Sequence, residues 1–196
     1  MAATESKMIP LGTRAPEFQL LDSVTKNLYS LQNVRGEKGT VVMFICNHCP
    51  FVKHVVDEIV RISNDYRVLG FGFVAISSND VEKYPEDHPD LMWKFARKHN
   101  FNFPYLYDET QETALNYNAV CTPDFFLFDT DLKLIYRGQL DNSRPGNGLS
   151  VNGRDLREAL DAVFNNRKVP EPQKPSIGCG IKWKKGPLTP EGGKTE

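Results

Sequence analysis

Three observations predict an α/β fold. Two continuous apolar runs, Thr40–Ile45 and Phe71–Ile76, have the β-branched content of strands buried on both faces. Between them Val52, Val55, Val56, Ile59, Ile62 and Tyr66 recur at three- and four-residue steps. Lys53, Asp57, Glu58, Arg61 and Asp65 take the other face, which makes the segment an amphipathic helix. Strand, helix and strand thus alternate, and an extended pair and a closing helix follow.

Taken in order, Phe18–Leu21 and Leu28–Leu31 are short alternating runs that suit an N-terminal hairpin. After the first buried strand, Pro50 stands in the first helical turn, where a missing N–H costs nothing. Beyond the second strand, Pro89–His99 has a helical pattern, Tyr105–Tyr107 is a short extended piece, and Thr110–Tyr117 is a short helix. Thr122-Pro123 precedes a strand over Asp124–Asp129, and Leu132–Arg137 returns after a tight turn at Thr130-Asp131. Asn152 is expected to cap a last helix with Leu156, Leu160, Val163 and Phe164 on its apolar face. Residues 1–166 read as one folded unit. Residues 167–196 hold five Pro, five Gly and seven Lys+Arg against three Glu, which predicts an irregular, mobile basic tail.

Composition excludes several function classes. Of 196 residues, 25% are charged and 40% hydrophobic, the balance of a soluble globular domain. With 24 Lys+Arg against 25 Asp+Glu the net charge is −1, which argues against a nucleic-acid partner. No apolar stretch approaches the roughly 18 residues of a membrane span. Met1–Pro10 lacks an apolar signal core, so no membrane partner and a cytoplasmic location are expected.

Four cysteines stand at 46, 49, 121 and 179, two of them in Cys46-Asn47-His48-Cys49. A zinc ribbon needs a second close pair, and a disulfide-stapled scaffold needs far more cysteine. The C-x-x-C at a strand-to-helix junction reads instead as a redox pair, with no cofactor and no metal. A cysteine reacts as thiolate, and three features should favour that form at Cys46. Free amides and the macrodipole lie at the helix start, Cys49 one turn on can donate a hydrogen bond or form a disulfide, and His48 adds a donor or a positive charge. Cys46 is therefore expected to attack, and the more shielded Cys49 to resolve. His54 is expected to face solvent. An alternative is a metal-binding or redox-sensing module with Cys46, Cys49 and His48 as soft ligands for copper(I) or zinc. Both nearby histidines belong to the same turn and helix, which favours the redox reading.

With these residues on view, the chain resembles the redoxin branch of the thioredoxin-fold superfamily, which includes the alkyl hydroperoxide reductase and thiol-specific antioxidant proteins and thioredoxin-like disulfide reductases. Gly12-Thr-Arg-Ala-Pro-Glu-Phe18 is similar to the redoxin opening, and Val41–Cys49 to the strand leading into the active site. Thr122-Pro123 resembles the cis-proline segment, and Arg154–Leu160 the closing helix. The resemblance covers about residues 10–166. It implies a thioredoxin-like central mixed sheet flanked by helices, with a cis Pro123 facing the cysteines. The peptide at Thr122 is then free to bind a substrate chain as an added strand. It also implies a disulfide-containing protein, a small disulfide or a hydroperoxide as substrate, and a thiol as electron donor. A His before the second cysteine occurs in the more oxidising members, so a couple more oxidising than thioredoxin's is expected.

The chain departs from the family at several points. Thr40–Ile45 lacks the buried acid that thioredoxin carries there, and Ile45 replaces the usual tryptophan. Pro50 after Cys49 is like a peroxiredoxin, yet Val42 and Cys46 stand where that motif has Pro and Thr, and Arg137 is a weak candidate for its arginine. The primary expectation is a thiol–disulfide oxidoreductase, and the alternative a thiol peroxidase. Cys121, two residues before Pro123, is read as a packed apolar thiol rather than part of a relay. Cys179 could reach the pair from the tail as an accessory thiol.

Overall fold

In the computed structural model, which describes residues 3–185, the chain opens with strand β1 (Ala3–Glu5) and the predicted hairpin of β2 (Gln19–Asp22) and β3 (Leu28–Ser30). Asp22 shapes the hairpin turn by accepting from the Thr25 amide and hydroxyl at 2.8 and 2.7 Å. Ser30 and Asn33 form a reciprocal capping box on the short helix α1 (Leu31–Val34). The two predicted apolar strands are β4 (Gly39–Phe44) and β5 (Phe71–Ser77), separated by helix α2 (Pro50–Arg67). Next come α3 (Pro89–Lys98), β6 (Tyr105–Tyr107), α4 (Glu112–Asn116), β7 (Cys121–Thr122), β8 (Asp124–Phe128) and β9 (Leu134–Gly138). Helix α5 (Arg154–Phe164) and strand β10 (Ile177–Gly180) complete the described chain.

Seven strands form a mixed sheet in the order β3-β2-β6-β5-β4-β8-β9. β4 runs parallel to β5, and β5 to β6, while β8 lies antiparallel on the other side of β4. Alternation explains why every residue of β4 is buried. Val41 and Met43 face a cluster with Ile59 of α2 and Leu160 of α5, whereas Val42 and Phe44 face one with Leu31 and Tyr117. Each such side chain contributes about 1.5–3 kcal/mol on burial. This two-sided packing fixes the C-terminal end of β4, where Cys46 follows. No helix among the described residues is long and apolar enough to cross a membrane.

Two expectations are corrected here. The residue before α5 is Gly153, left-handed at φ +65°, and not Asn152, whose side chain accepts from the Arg154 amide at 3.0 Å. The Asp141 carboxylate takes the Asn152 and Gly153 amides, each at 2.7 Å, and so does the work expected of an Asn152 cap. The second correction concerns the tail. Residues 167–176 are irregular, as the composition predicts, but β10 joins a second sheet of order β1-β10-β7. Ser176 anchors it by accepting from the Ser6 amide at 2.9 Å and donating from its hydroxyl to Gly138 O at 2.6 Å. Residues 186–196 of the predicted tail lie outside the described residues, and within the described part Gly178 permits a close approach rather than mobility. A Cβ on Gly178 would stand 1.9 Å from Thr122 O.

Candidate active site

Cys46 leaves the end of β4, and Cys49 is the N-cap residue of α2, with Pro50 in its first turn. The intervening loop is pinned by one buried carboxylate. Asp87, from the short turn Pro85–Asp87, accepts from the Asn47 and His48 amides through Oδ1 at 2.7 and 3.3 Å. Its Oδ2 meets His48 Nδ1 at 2.6 Å and accepts from Asn79 Nδ2 at 2.7 Å. Tyr105, fully buried, donates to Asn47 Oδ1 at 3.0 Å. His48 stacks on Tyr84 with ring centroids 5.7 Å apart.

The Thr122-Pro123 peptide is cis and lies against both cysteines. Thr122 Oγ1 is 3.4 Å from Cys46 Sγ, and Thr122 O is 3.2 Å from Cys49 Sγ. The predicted residues Cys46, His48, Cys49, Thr122 and Pro123 are thus brought together. Both cysteines are buried. Cys179 of β10, opposite Thr122 in the ladder, joins them in contact with Cys49. Cys121 is close by but turned into the core, where burial pushes its thiol well up.

The charge falls on the other sulfur from the one expected. Hydrogen bonding with the Cys46 thiol, and to a lesser degree with the Cys179 thiol and the Val52 and Cys179 amides, outweighs burial and lowers Cys49 to about 5. The Thr122 carbonyl, which accepts from the Cys49 thiol at 3.2 Å, favours the protonated form. Cys46 is pushed well up by its hydrogen bond with Cys49, by burial and by the Asp87 charge. The helix begins at Pro50, so its free amides lie beside Cys49, and the Val52 amide adds to the larger effect of the Cys46 thiol. The Asp87 bond raises His48, against the effect of burial. Burial pushes Asp87 up, but the bonds from His48, Asn79 and Asn47 hold it below the usual carboxylate range.

Sequence reading missed Asp87 and Asn79, because nothing in the spacing of Pro85-Glu-Asp-His-Pro89 distinguishes a buried acid from a solvated turn. Asp87 supplies the buried acid that Thr40–Ile45 lacks. Arg137 is not at the site: it is buried against Asp124 at 3.0 Å and over the Phe126 ring. Nor does His54 face solvent freely, since its Nε2 lies 2.7 Å from Ser143 Oγ. The edge of Thr122, expected to be open to a substrate chain, is paired with β10. The largest cleft, lined by Gly36, Arg67 and Phe71, lies at the opposite end of β4 and β5 and holds none of these groups.

Cys46, His48 and Asp87 each offer a possible metal-ligand atom, all within 4.8 Å of one another. The 2.6 Å approach of His48 Nδ1 to Asp87 is a hydrogen-bond distance, too short for two ligands of one ion. The arrangement as it stands suits proton and sulfur chemistry better than metal binding.

Comparison with known proteins identifies the family and the fold. The model of the AhpC/TSA family matches residues 11–137. Among solved structures, an uncharacterized conserved protein from Geobacillus kaustophilus is 59% identical, with a TM-score of 0.93 over 95% of this chain and 98% of its own. A hypothetical protein from Sinorhizobium meliloti is 44% identical, with a TM-score of 0.91 over 93% of this chain and 100% of its own. A secreted disulfide oxidoreductase of Mycobacterium tuberculosis is 18% identical, with a TM-score of 0.57 over 74% and 95%, and shares the fold. No curated protein matches. On the extent of the model match, the chain belongs to the AhpC/TSA family, with a thioredoxin-like fold.

Proposed function

We propose that the protein is a thiol–disulfide oxidoreductase in which Cys49 attacks and Cys46 resolves, the reverse of the order expected from the sequence. One observation carries this reading: Cys49 is the N-cap residue at the start of α2, where its interaction with the Cys46 thiol lowers it to about 5. The Cys49 thiolate attacks one sulfur of a disulfide, the S–S bond breaks, and the second sulfur leaves with the electron pair. His48, raised by Asp87, is placed to give that thiolate a proton from Nε2, which has no partner among the described residues. Cys46 then gives its proton to the departing substrate sulfur and attacks Cys49 Sγ, which expels the reduced substrate and leaves a 46–49 disulfide for a thiol donor to reduce. The substrate is a disulfide of a protein or a small molecule, and the cytoplasm is the proposed location.

Absorbance of the reduced protein at 240 nm should show a thiolate titrating near pH 5 that Cys49→Ser removes. Its survival in Cys49→Ser and loss in Cys46→Ser would return the attacking role to Cys46. A second reading is supported by the Cys49-Pro50 sequence at the helix start. As a peroxidase, Cys49 would attack a hydroperoxide oxygen to give a sulfenic acid and an alcohol or water. Cys46 would then condense with it, releasing water. Reduction of a small disulfide such as hydroxyethyl disulfide set against hydrogen peroxide consumption, each lost in Cys49→Ser, separates the two.

A further inference from the structure

In this fold the backbone at Thr122, beside the cis proline, is the edge to which an extended substrate would pair. Here that edge is filled from within. β10 runs antiparallel to β7 with Cys179 opposite Thr122 and Gly180 opposite Cys121, and Ile181 N donates to Val120 O at 2.9 Å. Gly178 lies so close to the cis peptide that any side chain would strike Thr122 O. Beyond the strand, Lys182 N donates to Asn79 Oδ1 at 2.8 Å, and the same Asn79 amide group holds Asp87. Lys182 also lies over the Tyr84 ring that stacks on His48. The strand is therefore built into the site, and it delivers one cysteine to the sulfur that the rest of the site serves.

We propose that β10 is an internal stand-in for a substrate strand and that Cys179 is a second resolving thiol for Cys49. This rests on the assignment of Cys49 as the attacking sulfur. Once Cys49 is in a mixed disulfide, Cys179 attacks Cys49 Sγ as thiolate, and its proton passes to the departing substrate sulfur. The mixed S–S bond breaks, a 49–179 disulfide forms, and the substrate sulfur leaves with the electron pair. The same exchange on a 46–49 disulfide moves the bridge to 49–179 and returns Cys46 as a thiol, with no net oxidation. Because its own strand fills the edge, the protein takes small disulfides in preference to extended polypeptides.

The test uses the full chain with Cys46→Ser, oxidised by diamide, which accepts two electrons and two protons from a thiol pair. After alkylation in denaturant and non-reducing digestion, the expected product is a single peptide pair linked through Cys49 and Cys179, with Cys121 alkylated. Free Cys49 and Cys179, or a 49–121 bridge, would overturn the proposal. Adding Gly178→Ala should lower the yield of the 49–179 link at least tenfold, and an unchanged yield would show that strand placement is irrelevant. The unmutated protein, acid-quenched during oxidation, should contain both 46–49 and 49–179 bridges, so the answer does not depend on a variant folding. Finding 46–49 alone sinks this proposal and leaves the oxidoreductase reading intact. Finding 49–179 alone, with Cys46 free throughout, sinks the proposed resolving role of Cys46 and leaves this one.

Discussion

At the scale of single residues, the helix start adds to the Cys46–Cys49 hydrogen bond in favouring charge on Cys49. Had α2 begun one turn earlier, its amides would have faced Cys46. With Pro50 in its first turn they face Cys49. The His48–Asp87 pair sets a second, separately testable pH dependence. His48 is raised, so its contribution to stability is full below the ordinary histidine value near about 6.5 and is lost as pH rises through its higher folded value. Asp87 is lowered, so its contribution is present above the ordinary value near about 3.9 and is lost as pH falls through its lower folded value. Asp87→Asn should bring the His48 titration, followed by NMR, down to or below the free-histidine value. It should also destabilise the protein by about 3–5 kcal/mol in urea, the range for breaking a buried pair. An unmoved His48 titration would mean that Asp87 does not hold the imidazole.

At the scale of elements, β4, α2 and β5 were legible because their hydrophobic periods are long and unbroken. The hairpin and the cis-proline segment were legible from short motifs. What escaped were contacts between pieces distant in sequence. Asp87 reaches back 39 residues to His48 Nδ1, and β10 crosses more than a hundred residues to pair with β1. Local composition cannot encode either contact. The Pro/Gly content of the tail pointed to irregular chain because glycine usually weakens a strand, yet at Gly178 a missing side chain is what admits the strand. Gly178→Ala should therefore lower stability by about 1–3 kcal/mol, as overpacking does. Amide exchange should accelerate over Val120–Thr122 and Ser176–Ile181 with the β4–β5 ladder unaffected. Protection lost evenly across the sheet would argue against a local detachment.

For the whole molecule, the low Cys49 value links the redox couple to pH. An oxidised pair has no proton to lose, so ionisation of Cys49 stabilises only the reduced protein. At pH 7, two units above the value of about 5, this is about a hundredfold, or roughly 60 mV more oxidising than a pair of ordinary thiols. Equilibration with glutathione buffers should give a potential above that of thioredoxin, with a slope near 30 mV per pH unit at neutral pH that steepens to about 60 below pH 5. A slope of about 60 throughout neutral pH would show that no thiolate persists in the reduced form. The first and last strands of the described chain add a mechanical property. Ala3 stands across from Cys179 and Glu5 from Ile177, so the two ends leave the β1–β10 ladder on the same side. Once the Lys182–Asn79 and Lys184–Gln111 bonds beyond the strand have given way, tension across Ala3 and Ile181 would unzip that ladder one bond at a time, where shearing it would load every bond together. In an optical trap the earliest rip should free the strand bearing Cys179 while the seven-stranded sheet still holds, making stretch a means of taking a thiol away from the site without unfolding the protein.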